Sequence, residues 1–149
     1  MKLATKYQGE QEVNEKQLIH FQNGIPGFQD ETQFALLPFL EEMPYFILQS
    51  TKTAELAFVV VDPYPFFQNY QYELPSSIID SLNIESPEDV VTFVILTLKE
   101  PFAASTANLK GPIVINVKKN EGKQLILNDS AYETKQPLFP ASTKEGSSC

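Results

Sequence analysis

At 149 residues, with 42% apolar and 20% charged residues, the chain has the size and balance of one soluble globular domain. Nineteen acids stand against eleven lysines with no arginine, a net charge of −8. Phosphate backbones are recognised through Lys and Arg, so this composition argues against direct DNA or RNA binding.

Residues Lys2 to Val13 read as an opening strand pair that breaks near Gln8-Gly9-Glu10. Leu18-Ile19-His20-Phe21 is a short strand leading into Gly24-Ile25-Pro26-Gly27-Phe28. That turn is built as a type II β-turn: Pro26 presets φ at its second position and Gly27 accepts the positive φ of the third. Gly24 permits another unusual conformation just before it, and Phe21 and Phe28 are expected to anchor its two ends in a core. Phe34-Ala35-Leu36-Leu37 and Tyr45-Phe46-Ile47-Leu48-Gln49 are two further strands. Leu56 to Val61 is apolar throughout, as in a strand covered on both faces, and Asp62-Pro63 stops it.

One helix is predicted, near Pro75-Asn83, where Leu74, Ile78, Ile79 and Leu82 share a face and Pro75 suits the first turn. Ser86-Pro87-Glu88-Asp89 has a capped helix start but room for only one turn. Val90 to Leu98 follows at once and is the strongest strand in the chain. Ile113 to Lys119 and Gln124 to Leu127 are expected to pair as a hairpin around Asn120-Glu121-Gly122-Lys123. From Ala141 onward the sequence lacks apolar anchors. About nine or ten short strands with one helix make the fold class mostly β: an antiparallel β-barrel-like single domain over residues 1–140, with a flexible polar tail at 141–149.

The parts for catalysis are missing. His20 is the only histidine and sits in a strand-like context, and the one cysteine, Cys149, is the last residue. A Ser-His-Asp or Cys-His site, a zinc cluster and a glycine-rich phosphate loop all lack their residues. No enzymatic activity, cofactor or metal is therefore expected. A lone cysteine excludes a disulfide framework and suits a reducing cytoplasm. The polar start argues against a secretory signal, and no apolar run reaches the ~20 residues that span a bilayer, so no membrane partner is expected. Asn128-Asp129-Ser130 matches a glycosylation sequon without meaning in that compartment.

Binding is better supported. Tyr64-Pro65-Phe66-Phe67-Gln68-Asn69-Tyr70-Gln71-Tyr72-Glu73 holds five aromatics in nine residues, beside Asp62 and Glu73. Between Thr53 and Leu98 there are seven acids and no lysine. Rings supply buried area and carboxylates select a basic protein, so Asp62, Phe66, Phe67, Tyr70 and Glu73 are candidate contacts. Asp30 and Glu31, beyond the Gly-Ile-Pro-Gly turn, and Glu41-Glu42 are further candidates. The plainer readings are that the acids keep the chain soluble and that the rings plug one end of the barrel. A carrier holding a small ligand inside the barrel is the alternative function. Lys118, Lys119 and Lys123 read as a solvated hairpin tip.

The octapeptide Phe21-Gln22-Asn23-Gly24-Ile25-Pro26-Gly27-Phe28 resembles the most characteristic motif of the flagellar assembly factor FliW family. Further matches follow in order: Phe46-Ile47-Leu48-Gln49-Ser50; Phe58 with Asp62-Pro63 and Tyr70; and Thr106 through Asn116, with Gln124 and Tyr132 after them. At Gly111 the family often has alanine. The resemblance spans Lys2 to Leu138. It implies a β-barrel-like, non-enzymatic cytoplasmic protein, monomeric when free, with two protein partners. These are flagellin and the translational regulator CsrA, a small RNA-binding homodimer. When flagellin is exported, the freed protein captures CsrA and relieves repression of flagellin mRNA. Whether it would do so by covering the RNA surface or by acting indirectly stays open at the level of sequence.

Overall fold

The computed structural model describes residues 1–39, 45–128 and 131–139. In chain order its strands are β1 (Lys2–Ala4), β2 (Glu10–Glu12), β3 (Leu18–His20), β4 (Gln33–Pro38), β5 (Tyr45–Ser50) and β6 (Ala57–Val61). The helix α1 (Ser76–Ser81) follows, then β7 (Val90–Thr97), β8 (Thr106–Ala107), β9 (Ile113–Asn116), β10 (Glu121–Gln124) and β11 (Gln136–Pro137). The expected helix forms where predicted, with Pro75 at its N-cap. The one-turn 3-10 helix Pro87–Asp89 also forms, its Ser86 Oγ accepting from the Glu88 backbone N–H at 3.3 Å. Glu41-Glu42 and the tail at 141–149 lie outside the described residues.

Seven strands close a ring in the order β7-β6-β5-β4-β3-β10-β9 and back to β7. β7 makes closure possible by changing partners along its length. Val90 to Phe93 pair with β9, Val94 and Ile95 with β6, and Leu96 and Thr97 with β8. All pairings are antiparallel except β3 with β10, a parallel contact at His20 and Glu121. There the His20 N–H donates to Asn120 O at 2.9 Å.

The period-2 geometry of strands explains why β4 to β7 read as almost wholly apolar. One face of each points into the ring. Ile19, Phe21, Ile25, Phe34, Leu48, Val60, Phe93, Ile113 and Ile115 meet there as one buried cluster. The other face carries Leu37, Ile47, Val59, Val61, Val94 and Leu96. It is roofed by Leu3 and Val13 of the β1–β2 arm, by Tyr70, and by Leu109 and Leu138. A third, smaller cluster packs Ile78 and Leu82 of α1 on Val114 and Leu125. Burying each such side chain contributes about 1.5–3 kcal/mol. The arm is also tied by a buried amide: Gln49 Oε1 accepts the Lys6 N–H at 2.9 Å, while its Nε2 donates to Ser50 O and Ala54 O at 3.0 Å.

The turn at 24–28 has the expected geometry. Gly27 sits at φ +89°, and the Phe28 N–H donates to Ile25 O at 2.6 Å. Gly24, at φ +69°, is under a stricter constraint, because a Cβ there would lie 2.4 Å from Phe28 O. Phe21 and Ile25 are buried as anchors, but Phe28 is 41% exposed. It lies past the reversal at the barrel rim, where it covers the edge of the Phe58 ring at 5.7 Å.

The second hairpin differs from its sequence reading. Its turn is 117–120, and Glu121-Gly122-Lys123 belongs to β10. Two forces set that register. Asn116 Oδ1 accepts from the Lys118 and Lys119 N–H groups and folds the chain early, with Asn120 taking φ +55°. Gly122 is needed inside the strand because a Cβ there would meet Phe21 Cζ at 2.8 Å.

Candidate partner-binding surface

After β6 the chain leaves the sheet and winds through turns. Asp62 Oδ1 accepts the Tyr64 N–H at 3.1 Å, an Asx turn of the kind Asp favours. Pro63 O accepts the N–H groups of Phe66 and Phe67 at 3.0 and 2.8 Å, and Tyr70 N–H donates to Phe67 O at 3.0 Å. These turns divide the aromatics. Phe66 and Phe67 stay half-buried on the outer cluster, with Phe66 against the rings of Tyr45 and Phe139 at 6.1 and 5.9 Å. Tyr64 is 41% exposed.

Tyr70 moves from candidate contact to core. It is 4% exposed, its hydroxyl donates to Leu109 O at 2.6 Å, and its ring packs edge-on against Tyr132 at 4.8 Å. Burial pushes its phenol well above the usual range, as removal from water disfavours the phenolate. Tyr72 is shifted upward for the same reason, its hydroxyl bonded to that of Thr92. Both are held neutral and structural.

Glu31 is likewise committed within the chain. One carboxylate oxygen accepts the Ser50 hydroxyl and the other accepts Thr53 Oγ1 at 2.6 Å. These hydrogen bonds favour the ionised form and hold its pKa below the ordinary carboxylate range. It clamps the β5–β6 loop, with each oxygen already accepting one intrachain hydrogen bond. Asp30 beside it is exposed. Strand direction separates these two acids from the aromatic segment. Ser50 and Ala57 lie at one end of the β5–β6 pair, Tyr45 and Val61 at the other. The run of β5 between those ends is about 17 Å at strand rise. Asp30 and Glu31 therefore do not join Asp62, Phe66 and Phe67 in one site.

The acidic stretch survives with one removal. Asp89 is 4% exposed and pairs with Lys118 Nζ at 3.5 Å. Glu55 is exposed but sits at the Glu31 end, while Glu73, Asp80, Glu85 and Glu88 are exposed around α1. Sequence reasoning missed Phe102, which is 42% exposed and joins Tyr45 and Phe139 at ring distances of 6.0 and 5.5 Å. An aromatic directly after Pro101 was the available signal.

The barrel interior offers no room for cargo. Phe21, Phe34, Ile25, Leu48, Ile113 and Ile115 are among its largest fully buried side chains. Residues this bulky, pointing inward from a small ring, fill it, which removes the carrier alternative. Among the described residues no group of three or more His, Cys, Asp or Glu is placed to hold a metal ion. Among the described residues no helix is long and apolar enough to cross a membrane.

Fold and surface together define a class: a small closed β-barrel with a filled interior, whose usable chemistry lies on its outside. The chain belongs to the FliW protein family, which it matches over residues 2–138. It is 50% identical over 140 residues to the flagellar assembly factor FliW of Geobacillus sp. (strain WCH70), covering 94% of this chain and 96% of that one. The FliW of Bacillus subtilis (strain 168) is 46% identical over 138 residues, covering 93% and 96%. A crystal structure of the flagellar assembly factor FliW superposes with a TM-score of 0.88 at 47% identity, covering 94% of this chain and 98% of that chain.

Proposed function

We propose that this protein is a non-enzymatic flagellar assembly factor of the cytoplasm, monomeric when free, that partitions between two protein partners. It binds flagellin; when free, it binds CsrA and antagonises it, relieving repression of flagellin mRNA. The observation that carries this reading is near-full-length kinship with proteins named for flagellar assembly. The surface supports it independently. Five exposed or half-exposed acids, Asp62, Glu73, Asp80, Glu85 and Glu88, lie in a stretch without lysine, which favours a basic RNA-binding protein over nucleic acid itself. Within that surface, Asp62, Phe66, Phe67 and Glu73 are the proposed contacts, with Asp30 as a separate one at the far end.

The test is retention of flagellin or CsrA from a flagellated bacterial lysate on the immobilised protein. Retention of either supports the reading, and recovery of neither refutes it. Adding RNA then separates the two modes of antagonism. If the protein covers the RNA surface, its apparent affinity for CsrA falls in proportion to added RNA; partial, saturable inhibition means an indirect mode.

A further inference from the structure

Between Tyr70 and α1 the chain runs as a strap, residues 71–75, that joins no sheet. It is pinned at both ends. The Gln71 N–H donates to the Tyr132 hydroxyl at 3.0 Å, and that hydroxyl donates back to Gln71 O at 3.1 Å. At the other end Pro75 O accepts from the Ile78 and Ile79 N–H groups at 3.0 and 3.1 Å. Between the pins, the backbone N–H and C=O groups of Tyr72, Glu73 and Leu74 have no partner among the described residues. Because the strap lies at the surface, these main-chain groups are free to exchange solvent for a partner's backbone.

The strap also divides two grooves. The first, of about 510 Å³, has apolar walls from Tyr72, Leu74, Ile79, Ile84 and Val90, with Glu85 at its margin. The second, of about 780 Å³, lies between the strap and residues Leu127, Asn128 and Tyr132, with Glu73 beside it. Glu85 and Glu73 are the charged side chains lining them among the described residues, and no lysine does. The strap thus carries one carboxylate, Glu73, between the groove-lining Tyr72 and Leu74, with a second carboxylate, Glu85, in the wall of the first groove. Burial alternates with the same period: Gln71 and Glu73 are exposed, Tyr72 and Leu74 half-buried.

We propose that this strap is a docking edge for an extended segment of a protein partner in which apolar and basic residues alternate. The segment adds as a strand alongside Tyr72, Glu73 and Leu74. It seats an apolar side chain in the groove walled by Ile79, Ile84 and Val90, and sets Lys or Arg against Glu73 and Glu85. Main-chain pairing supplies affinity, and the alternating pockets and carboxylates supply selectivity. A second copy of this chain is a poorer occupant, since it would bring Glu73 and Glu85 against their own like charges. The inference rests on the protein-binding reading above and names where and how one partner segment is held.

The probe is a synthetic, end-capped peptide of alternating leucine and lysine, titrated into the full chain by amide NMR and calorimetry. The expected result is saturable shifts at Tyr72, Glu73, Leu74, Ile84 and Glu85. A glutamate-for-lysine peptide binds at least roughly tenfold more weakly, as does the lysine peptide against the Glu73→Lys/Glu85→Lys double variant. N-methylation along one edge of the peptide weakens binding by at least roughly tenfold, while methylation along its other edge leaves it within about twofold. Equal affinity of the two methylated peptides, shifts confined elsewhere, concentration-dependent dimerisation through the strap, or no binding overturns the docking edge. Retention of flagellin and CsrA by the double variant is run in parallel. Undiminished retention removes this inference alone, whereas no retention by the unaltered protein removes the reading beneath it.

Discussion

The turn at 24–28 and the strap at 71–75 are both short, irregular and rich in constraint, yet they solve opposite problems. In the turn the reversal is closed by local backbone bonds. Gly24 N–H donates to Phe21 O at 2.9 Å, Phe28 N–H donates to Ile25 O, and two glycines take positive φ so that Phe21 and Ile25 reach the core. In the strap only the ends are fixed, and the middle keeps its hydrogen-bonding capacity unused. A closed circuit of bonds stabilises a fold; an open one leaves something for a partner. The segment with the more distinctive sequence is therefore the one that holds the barrel.

Substitutions can sharpen that contrast, starting where the strap's neighbour enters the core. Tyr70→Ala should cost about 3–5 kcal/mol of stability in denaturant unfolding, since it empties a buried site and orphans Leu109 O. Tyr70→Phe keeps the packing and loses only the hydroxyl, which leaves Leu109 O unpaired and should cost about 1–3 kcal/mol. An intact fold with selective loss of partner affinity in Tyr70→Ala would return this ring to the binding surface. Next, Gly24→Ala should lose about 2–4 kcal/mol, combining positive φ with a clash against the Phe28 carbonyl. Gly27→Ala meets nothing within 4 Å, so only its φ is strained, and about 1 kcal/mol is expected. Equal costs at the two glycines would mean that close approach does not matter in the turn.

The smallest effect is expected at Glu31. Its folded pKa is depressed, so its clamp contributes stability at pH above the ordinary carboxylate range. That contribution fades as pH falls through this range toward the lowered folded value. Glu31→Gln should lose under about 1 kcal/mol at neutral pH, given its partial exposure, and show a flatter acid limb in unfolding-versus-pH curves. A steeper limb would assign the acid sensitivity elsewhere.

Much of this architecture was legible in the residues, for identifiable reasons. Val90 to Thr97 and Ala57 to Val61 are strands by composition alone, and Pro75 with the Ile78–Leu82 spacing marks the helix. Local signals failed where a distant residue decided the outcome. Gly122 looks like a turn glycine but makes way for the Phe21 ring, far away in sequence. Glu31 looks like a free surface acid until the β5–β6 loop brings Ser50 and Thr53 to it. Tyr70 and Phe67 look equivalent in a run of aromatics, and only the turns at Pro63 show which one points inward. The acidic stretch was readable as charge, but its division between the two ends of the β5–β6 pair depends on topology. The unpaired backbone of the strap has no sequence signature, because it is defined by partners that are absent.

The central claim is that fold and binding are carried by different irregular segments. Its most direct test is stopped-flow association with CsrA, the proposed partner, run at low and high salt, alongside unfolding of the same variants. Glu73→Lys should keep its unfolding midpoint and associate more slowly, with the deficit shrinking at high salt; Gly27→Ala should lose stability and associate at the unaltered rate. Slower association in Gly27→Ala with no change in Glu73→Lys would contradict the account.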